Sequence, residues 1–385
     1  MSQGITIEEV LTKKQLKDFM QVPFLVHKND PQWVPPISLD IEMKLNRKKN
    51  PFFEHGEASY FVAYLDGEPV GRITAHVDFL YQKQYNAKAG FFGFFDAINN
   101  QEVVDALFKK CEEWHQARGN TQLMGPFNFN INGEIGVLID GYDKAPFLMM
   151  THNMPYYNSV IETAKFSKAK DLLAWYCNTA GELHPKTKMM DEMGRNIPGL
   201  TIRSVNKSKL NEEVKIIMHI FNEAWSDNWG FLPLTQSELN QMAQELKLVL
   251  DEKLAFIVEY QGEPMAMCVA LPNVNEALLQ SRGSSLPVTL LKTIWKLKTK
   301  QIKGIRLLLM GILPKFRMDE RFKAVSVMVY AEIQRRALSG GYTHAELSWT
   351  LEDNVAVNSG VEKMGWMKKY KTYRIYQKSI EKSLS

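Results

Sequence analysis

Apolar residues recur with period two in several runs along the chain, each closed by a turn-forming pair, and stretches of helical spacing lie between them. YFVAYLDGEPVGRITAH at 60–76 predicts a hairpin turned at Asp66-Gly67, and AFIVEYQGEPMAMCVAL at 255–271 predicts a second with the same Gly-Glu-Pro turn. Residues 4–10 read as a short strand, 12–28 as a helix that Pro23 interrupts, and 29–57 as irregular. An aromatic strand at 89–98 precedes a helix capped by Asn99 or Asn100 and ended by Gly119. A strand at 121–127 then runs into a long loop, followed by a short helix near 158–166 and a strand near 171–177. Past a polar stretch at 179–199 the order returns: strand 200–205, helices 211–225 and 235–251, the second hairpin and strand 305–313. A helix at 321–339, a strand from His344, a helix at 354–364 and a strand at 369–378 complete it.

NSVIETAKF at 158–166 parallels NSGVEKMGW at 358–366, at nearly the offset that separates the two hairpins. Two landmarks at nearly one offset imply a duplicated unit, because hairpins alone are common but matched distances are not. The expected domains are 1–180 and 200–385, joined by a linker at 181–199. The element order predicts an α/β fold in which each unit is a mixed, mostly antiparallel sheet flanked by helices.

Composition narrows the function less than the pattern does. At 385 residues the chain suits two cores, and its 45% hydrophobic and 23% charged content is that of a globular protein. A net charge of +4 argues against nucleic acid. Cys111, Cys177 and Cys268 are few and far apart, with no metal-ligand spacing, and suit a reducing cytoplasm. The first residues lack a secretory pattern and no run approaches the ~18 apolar residues of a membrane span. A cytoplasmic location is expected, with peripheral contact at the inner face of the membrane left open.

The element order, with LMGILPKFRMDERFKAVSVMVYAEI followed by NVAVNSGVEKMGW, resembles the GNAT acyltransferase superfamily in tandem. DPQWVPP, KNPFFEHG, GEPVGRITAH, MGPFNFNINGEIGVLIDGYD, HNMPYY and NWGFLPLT together resemble the bacterial ceramide synthase-like family over nearly the whole chain. That resemblance implies an N-acyltransferase moving a long acyl group from acyl-CoA or an acyl-carrier protein to an amine, with a sphingoid-base-like lipid amine as the reference acceptor. It implies no metal. Two other readings stay open: a non-catalytic module that binds a lipid or thioester, and aminoacyl transfer of the Fem type. The chain departs from the superfamily in two places. Glu320 and Phe322 stand where loop glycines fall, and Val361, with Ile161 in the first unit, replaces the tyrosine that protonates the departing thiolate. Lys315, Arg317, Arg321 and Lys323 can supply charge to a phosphate instead. The first unit has NNQEV at the corresponding place, so the thioester is expected in the second unit and the amine toward the first.

Acyl transfer to an amine needs a base, an oxyanion donor and a route for the thiolate to leave. A bulge near Gly311 would open a backbone N–H for the oxyanion. In 125–157, Phe127, Phe129 and Ile131 alternate with Asn128, Asn130 and Asn132, which predicts an extended stretch with the asparagines on one side. Glu134 and His152 are candidate bases there, with Tyr157 as an orienting hydroxyl and Tyr156 beside it. Glu346 is a further candidate base, and Asn358 either bonds a pantetheine arm or is structural. Trp225, Asn228 and Trp229 suit an acceptor-site wall. Residues 286–304 form a basic amphipathic stretch: Leu290, Leu291, Ile294, Trp295, Leu297 and Ile302 share one face. Such a helix either covers the sheet or rests on an anionic membrane.

Overall fold

The computed structural model describes residues 4–380, which form two compact units. The first runs to Leu172 and takes up the chain again from Lys371; the second is Leu173–Tyr370. The expected division at 181–199 differs from this one. Residues Pro185–Arg195 of that stretch are a helix, and Gly194 lets it approach the helix Val325–Gly340 so closely that a Cβ would lie 2.9 Å from Met328. Polar composition suggested a linker, but the polar residues serve a packed interface in which Asp191 binds Arg195 and Arg335.

In the first unit the strands β1 (Ile5–Glu9), β2 (Gly56–Leu65), β3 (Glu68–Asp78), β4 (Ala89–Ala97) and β5 (Gln122–Gly125) lie in that spatial order. β6 (Val137–Asp140) and β5 both pair with the part of the last strand that begins at Lys371. The β2–β3 turn has Asp66 and Gly67 at φ 51° and 88°, the left-handed pair that a two-residue hairpin requires. The helix Lys13–Val26 runs through Pro23 rather than stopping there, and Ser38–Leu45 is helical where an irregular segment was expected. Asn100 caps the helix Gln101–Gln116 by accepting from Glu102 and Val103. That helix buries Leu107 and Phe108 against Phe92 and Phe95, while the other face of the sheet packs Phe19, Tyr60, Phe94 and Phe129.

Two buried histidines make this unit acid-sensitive. His115 Nε2 donates to the Phe91 carbonyl at 3.0 Å and Nδ1 meets Asn120 at 3.1 Å, an arrangement that suits a neutral ring. Burial pushes His76 down to about 3 and His115 to about 4. The unfolded chain binds protons at these rings from about pH 6.5 downward while the folded chain does not, so stability falls as pH drops. Each ring costs about 2 kcal/mol by pH 5, and His27, held above its ordinary value, offsets part of this. Urea unfolding of the first unit followed from pH 7 to pH 5 will therefore show a falling midpoint; a flat profile contradicts the assignment.

The strand β7 (Ser167–Asn178) leads the chain into the second unit, which carries β8 (Leu200–Ser204), β9 (Ala255–Tyr260), β10 (Glu263–Pro272), β11 (Gly304–Ile312) and β12 (His344–Leu351), ordered from the edge as β8-β9-β10-β11-β12. β8 to β11 are antiparallel neighbours, whereas β11 and β12 are parallel and joined through the helix Val325–Gly340. The helix Leu210–Trp225 packs over β11, where Gly311 admits it: a Cβ there would lie 3.1 Å from that of Ala224. Both units thus have the mixed α/β order expected from the sequence.

Candidate active site

A parallel strand pair that parts is the main feature of each unit, and the two units treat it differently. In the second, β11 and β12 stay in register only from Gly304–His344 to Leu307–Leu347, although both strands continue. The bulge falls at Leu308, since Val269 opposes Leu309 and Ala270 opposes Leu307. This corrects the bulge expected near Gly311, a regularly paired residue whose missing side chain serves helix packing. Leu308, Leu309 and Met310 become partly exposed where the pairing ends. Trp225 lies over this stretch, donating from Nε1 to the Met310 carbonyl at 3.2 Å, with the Trp349 ring 6.3 Å away. Asn228 and Trp229 follow in the next turn, where Asn228 N–H donates to the Trp225 carbonyl.

In the first unit β4 and β5 likewise pair only from Ala89–Gln122 to Phe91–Met124. Here the chain fills its own opening. Phe127 N–H donates to the Phe92 carbonyl at 2.8 Å, and the Asn128 side-chain oxygen accepts from Phe94 N–H at 2.8 Å. Every residue of β4 is buried. A Cβ on Gly93 would lie 1.7 Å from the Phe127 carbonyl oxygen, so Gly93→Ala will expel the loop or unfold the unit. A melting curve will show a loss of several kcal/mol, about 3 or more; an unchanged curve contradicts this packing.

The asparagine loop is not the extended stretch expected. Phe129 has φ 82°, which turns the chain, and Asn128 N–H donates back to the Glu134 carbonyl. Asn128 Nδ2 also donates to the Glu134 carboxylate at 3.0 Å, and Lys44 stands 3.5 Å from it. Burial raises the Glu134 acid, but Lys44 and Asn128 outweigh it and hold Glu134 below its ordinary value. The Asn130 side chain accepts from Asn132 N–H as a local turn.

His152 and Tyr157 belong to a buried polar network in the same unit. His152 Nε2 meets Asp30 at 2.7 Å, with the imidazole only 3% exposed and its Nδ1 without a hydrogen-bond partner. Burial dominates and lowers His152. His27 bridges Asp30 at 3.9 Å and Asp96 at 3.4 Å. Asp96 also binds the Arg72 guanidinium at 2.7 and 2.8 Å and accepts from Tyr157 at 3.0 Å. The Tyr156 hydroxyl donates to the Ala97 carbonyl. Burial, and then Asp96, push Tyr157 well above its ordinary value, so it is a neutral donor. Asp30, Asp96, His27 and Arg72 were not among the sequence-derived candidates. DPQW and GEPVGRITAH contain two of them, and their pairing depends on the fold.

Glu346 is fully buried on β12 and accepts from the Ser348 and Tyr370 hydroxyls. Arg306, its cross-strand neighbour, donates to Ser348 Oγ at 2.9 Å and to the Ser348 carbonyl. Tyr370 is the partly exposed member of this set. Val361 and Ile161, at the positions of the absent tyrosine, are both core residues. Asn358 is engaged structurally: Thr350 donates to its oxygen at 2.7 Å, and its Nδ2 donates to Leu351 and Glu352 carbonyls.

The expected phosphate-loop cations are all exposed. Arg321 forks onto Asp319, Lys323 stands 3.5 Å from Glu320, and Lys315 pairs with Glu263. Phe322, standing for a loop glycine, is buried against Tyr260 and Phe316. Arg317 follows Phe316 in the short helix Pro314–Arg317. Among the described residues no group of three or more His, Cys, Asp or Glu is placed to hold a metal ion.

No family model matches the chain. It is 36% identical over 378 residues to the bacterial ceramide synthase of Caulobacter vibrioides, covering 98% of each chain. It is 35% identical over 380 residues to protein YghO of Escherichia coli, covering 98% of this chain and 96% of that one. Among solved structures, a tandem GNAT protein from the clavulanic acid biosynthesis pathway matches 98% of this chain and 99% of its own, with TM-score 0.57 and 9% identity. A GCN5-related N-acetyltransferase from Sphaerobacter thermophilus matches 98% and 96%, with TM-score 0.53 and 13% identity. The likeness to these two concerns the fold, whereas the sequence match spans the full length of a curated relative. The chain therefore belongs to the bacterial ceramide synthase family, as an acyltransferase with a tandem GNAT fold.

Proposed function

We propose that this acyltransferase moves a long acyl group from acyl-CoA or an acyl-carrier protein to a lipid amine of the sphingoid-base class, working at the cytoplasmic face of a membrane. One observation carries the placement of the donor: the open strand pair β11–β12 with its partly exposed Leu308–Met310, against a first-unit pair sealed by Phe127 and Asn128. A pantetheine arm is a strand-like chain of amides, so an unpaired strand edge suits it. Backbone N–H groups beyond Leu307 then serve the oxyanion.

Tyr370 and Glu346 supply the proton path. As the amine attacks the thioester carbonyl, Tyr370 takes the nitrogen's proton while passing its own to Glu346 along their hydrogen bond. The C–N bond forms, the C–S bond breaks, and Glu346 returns the proton through Tyr370 to the thiolate. Arg306 and Ser348 hold the carboxylate charge in the buried site.

The test is thiol release by the purified protein with acyl-CoA and acyl-carrier thioesters of several chain lengths, with and without sphingoid-base amines, and mass spectrometry of the products. An amine-dependent release giving an N-acyl lipid supports the reading. Absence of release across all pairs defeats it, and binding without turnover favours the non-catalytic module.

A further inference from the structure

The helix Leu286–Lys298 is built inside out. Its only buried residue is Thr293, while Leu291, Ile294 and Trp295 are 69%, 50% and 55% exposed and Val288 is also exposed. At 100° per residue, Ile294, Leu291, Trp295 and Val288 fall on one continuous outer stripe, and Leu290, Thr293 and Leu297 turn inward. The single apolar face expected from the sequence is thus split, with its larger side chains turned outward. Soluble helices point such a stripe at the core, because exposing it forgoes the gain of burial.

Charge identifies what covers it. Lys292 is exposed beside the stripe, Lys298 continues the stripe at its C-terminal end, Lys300 is exposed just past the helix, and Lys296 reaches Gln280 on the flank. No acidic residue lies between Leu286 and Lys303. A second copy of the same helix would bring like charges together. Apolar residues with a tryptophan, bordered by lysines, match an anionic bilayer interface, where the indole sits at headgroup level and the lysines meet phosphates. No described helix is long and apolar enough to cross a membrane, so the fit is to lying in the surface.

We propose that Leu286–Lys298 docks the protein on an anionic lipid bilayer, with Val288, Leu291, Ile294 and Trp295 inserted. The proposal deepens the membrane setting of the function given above, but the docking itself does not require that the amine assignment be right. The full chain is sedimented with phosphatidylglycerol-containing vesicles and with pure phosphatidylcholine vesicles. The expected result is about tenfold or more greater binding to the anionic vesicles, falling with added salt. Leu291→Glu with Ile294→Glu will abolish binding while thiol release with a water-soluble amine stays unchanged. Brominated lipid will quench the parent's fluorescence, and Trp295→Phe will remove most of that quenching, which tests insertion without a charged variant. Equal binding to both vesicle types, binding untouched by the substitutions, or loss of a dimer rather than of vesicle binding overturns the proposal. Loss of acyl-carrier-protein binding in the double variant, with vesicle binding intact, also overturns it. Thiol release that is absent from parent and variant alike would instead defeat the proposed chemistry and leave the docking result standing.

Discussion

Glu346→Gln will lower kcat/KM for acyl transfer by about two to four orders of magnitude, the usual contribution of a positioned base. The amide keeps nearly the same volume and one oxygen, which can accept from Ser348 as Oε1 does, while its NH2 replaces the Oε2 that accepts from Tyr370, so the loss reads the Tyr370–Glu346 proton path rather than packing. Tyr370→Phe will act in the same direction. The double variant will be little worse than the poorer single one, because two groups sharing one proton act as a unit. Single-turnover thiol release separates this from product release, and thermal melting checks that the fold is kept. If Glu346→Gln retains activity within about threefold of the parent, the proton path is wrong and a base from elsewhere must be sought.

Asp96→Ala is the second large effect, and it concerns stability. Removing this carboxylate leaves the Arg72 guanidinium, only 9% exposed, without its ion-pair partner, and deprives Tyr157 of its acceptor. A buried charge left without compensation costs about 3–5 kcal/mol. Arg72→Met combined with Asp96→Leu will recover most of that loss, since no isolated charge then remains. Urea unfolding of the first unit is the measurement. A loss under about 1 kcal/mol for Asp96→Ala would mean that solvent reaches Arg72 and that the network is not the unit's polar core.

Much of this was legible in the sequence because it is local. The Asp66-Gly67 and Gln261-Gly262 turns announce their hairpins through left-handed backbone that few residues tolerate. Asn100 and the Thr235–Glu238 capping box mark helix starts by chemistry confined to one turn. What stayed hidden depends on distant partners. Asn128 reads as a functional amide, yet it seals the β4 edge, and only the close approach of Phe127 to Gly93 reveals that. Asp30 and His152 lie 122 residues apart in sequence, and no periodicity links them. The helix Leu286–Lys298 was predictable as amphipathic, but periodicity cannot tell which side faces the sheet. Tyr370 was missed for a similar reason: it stands on a different element from Val361, whose expected hydroxyl it replaces in this reading.

In the proposed mechanism the donor thioester enters the β11–β12 opening of the second unit. Amide hydrogen exchange followed by mass spectrometry, with and without a non-reactive acyl-CoA analogue, tests this most directly. Slowed exchange over Leu308–Ile312, with none added over Phe92–Asp96, is the predicted result; protection confined to β4, or at neither strand, would contradict it.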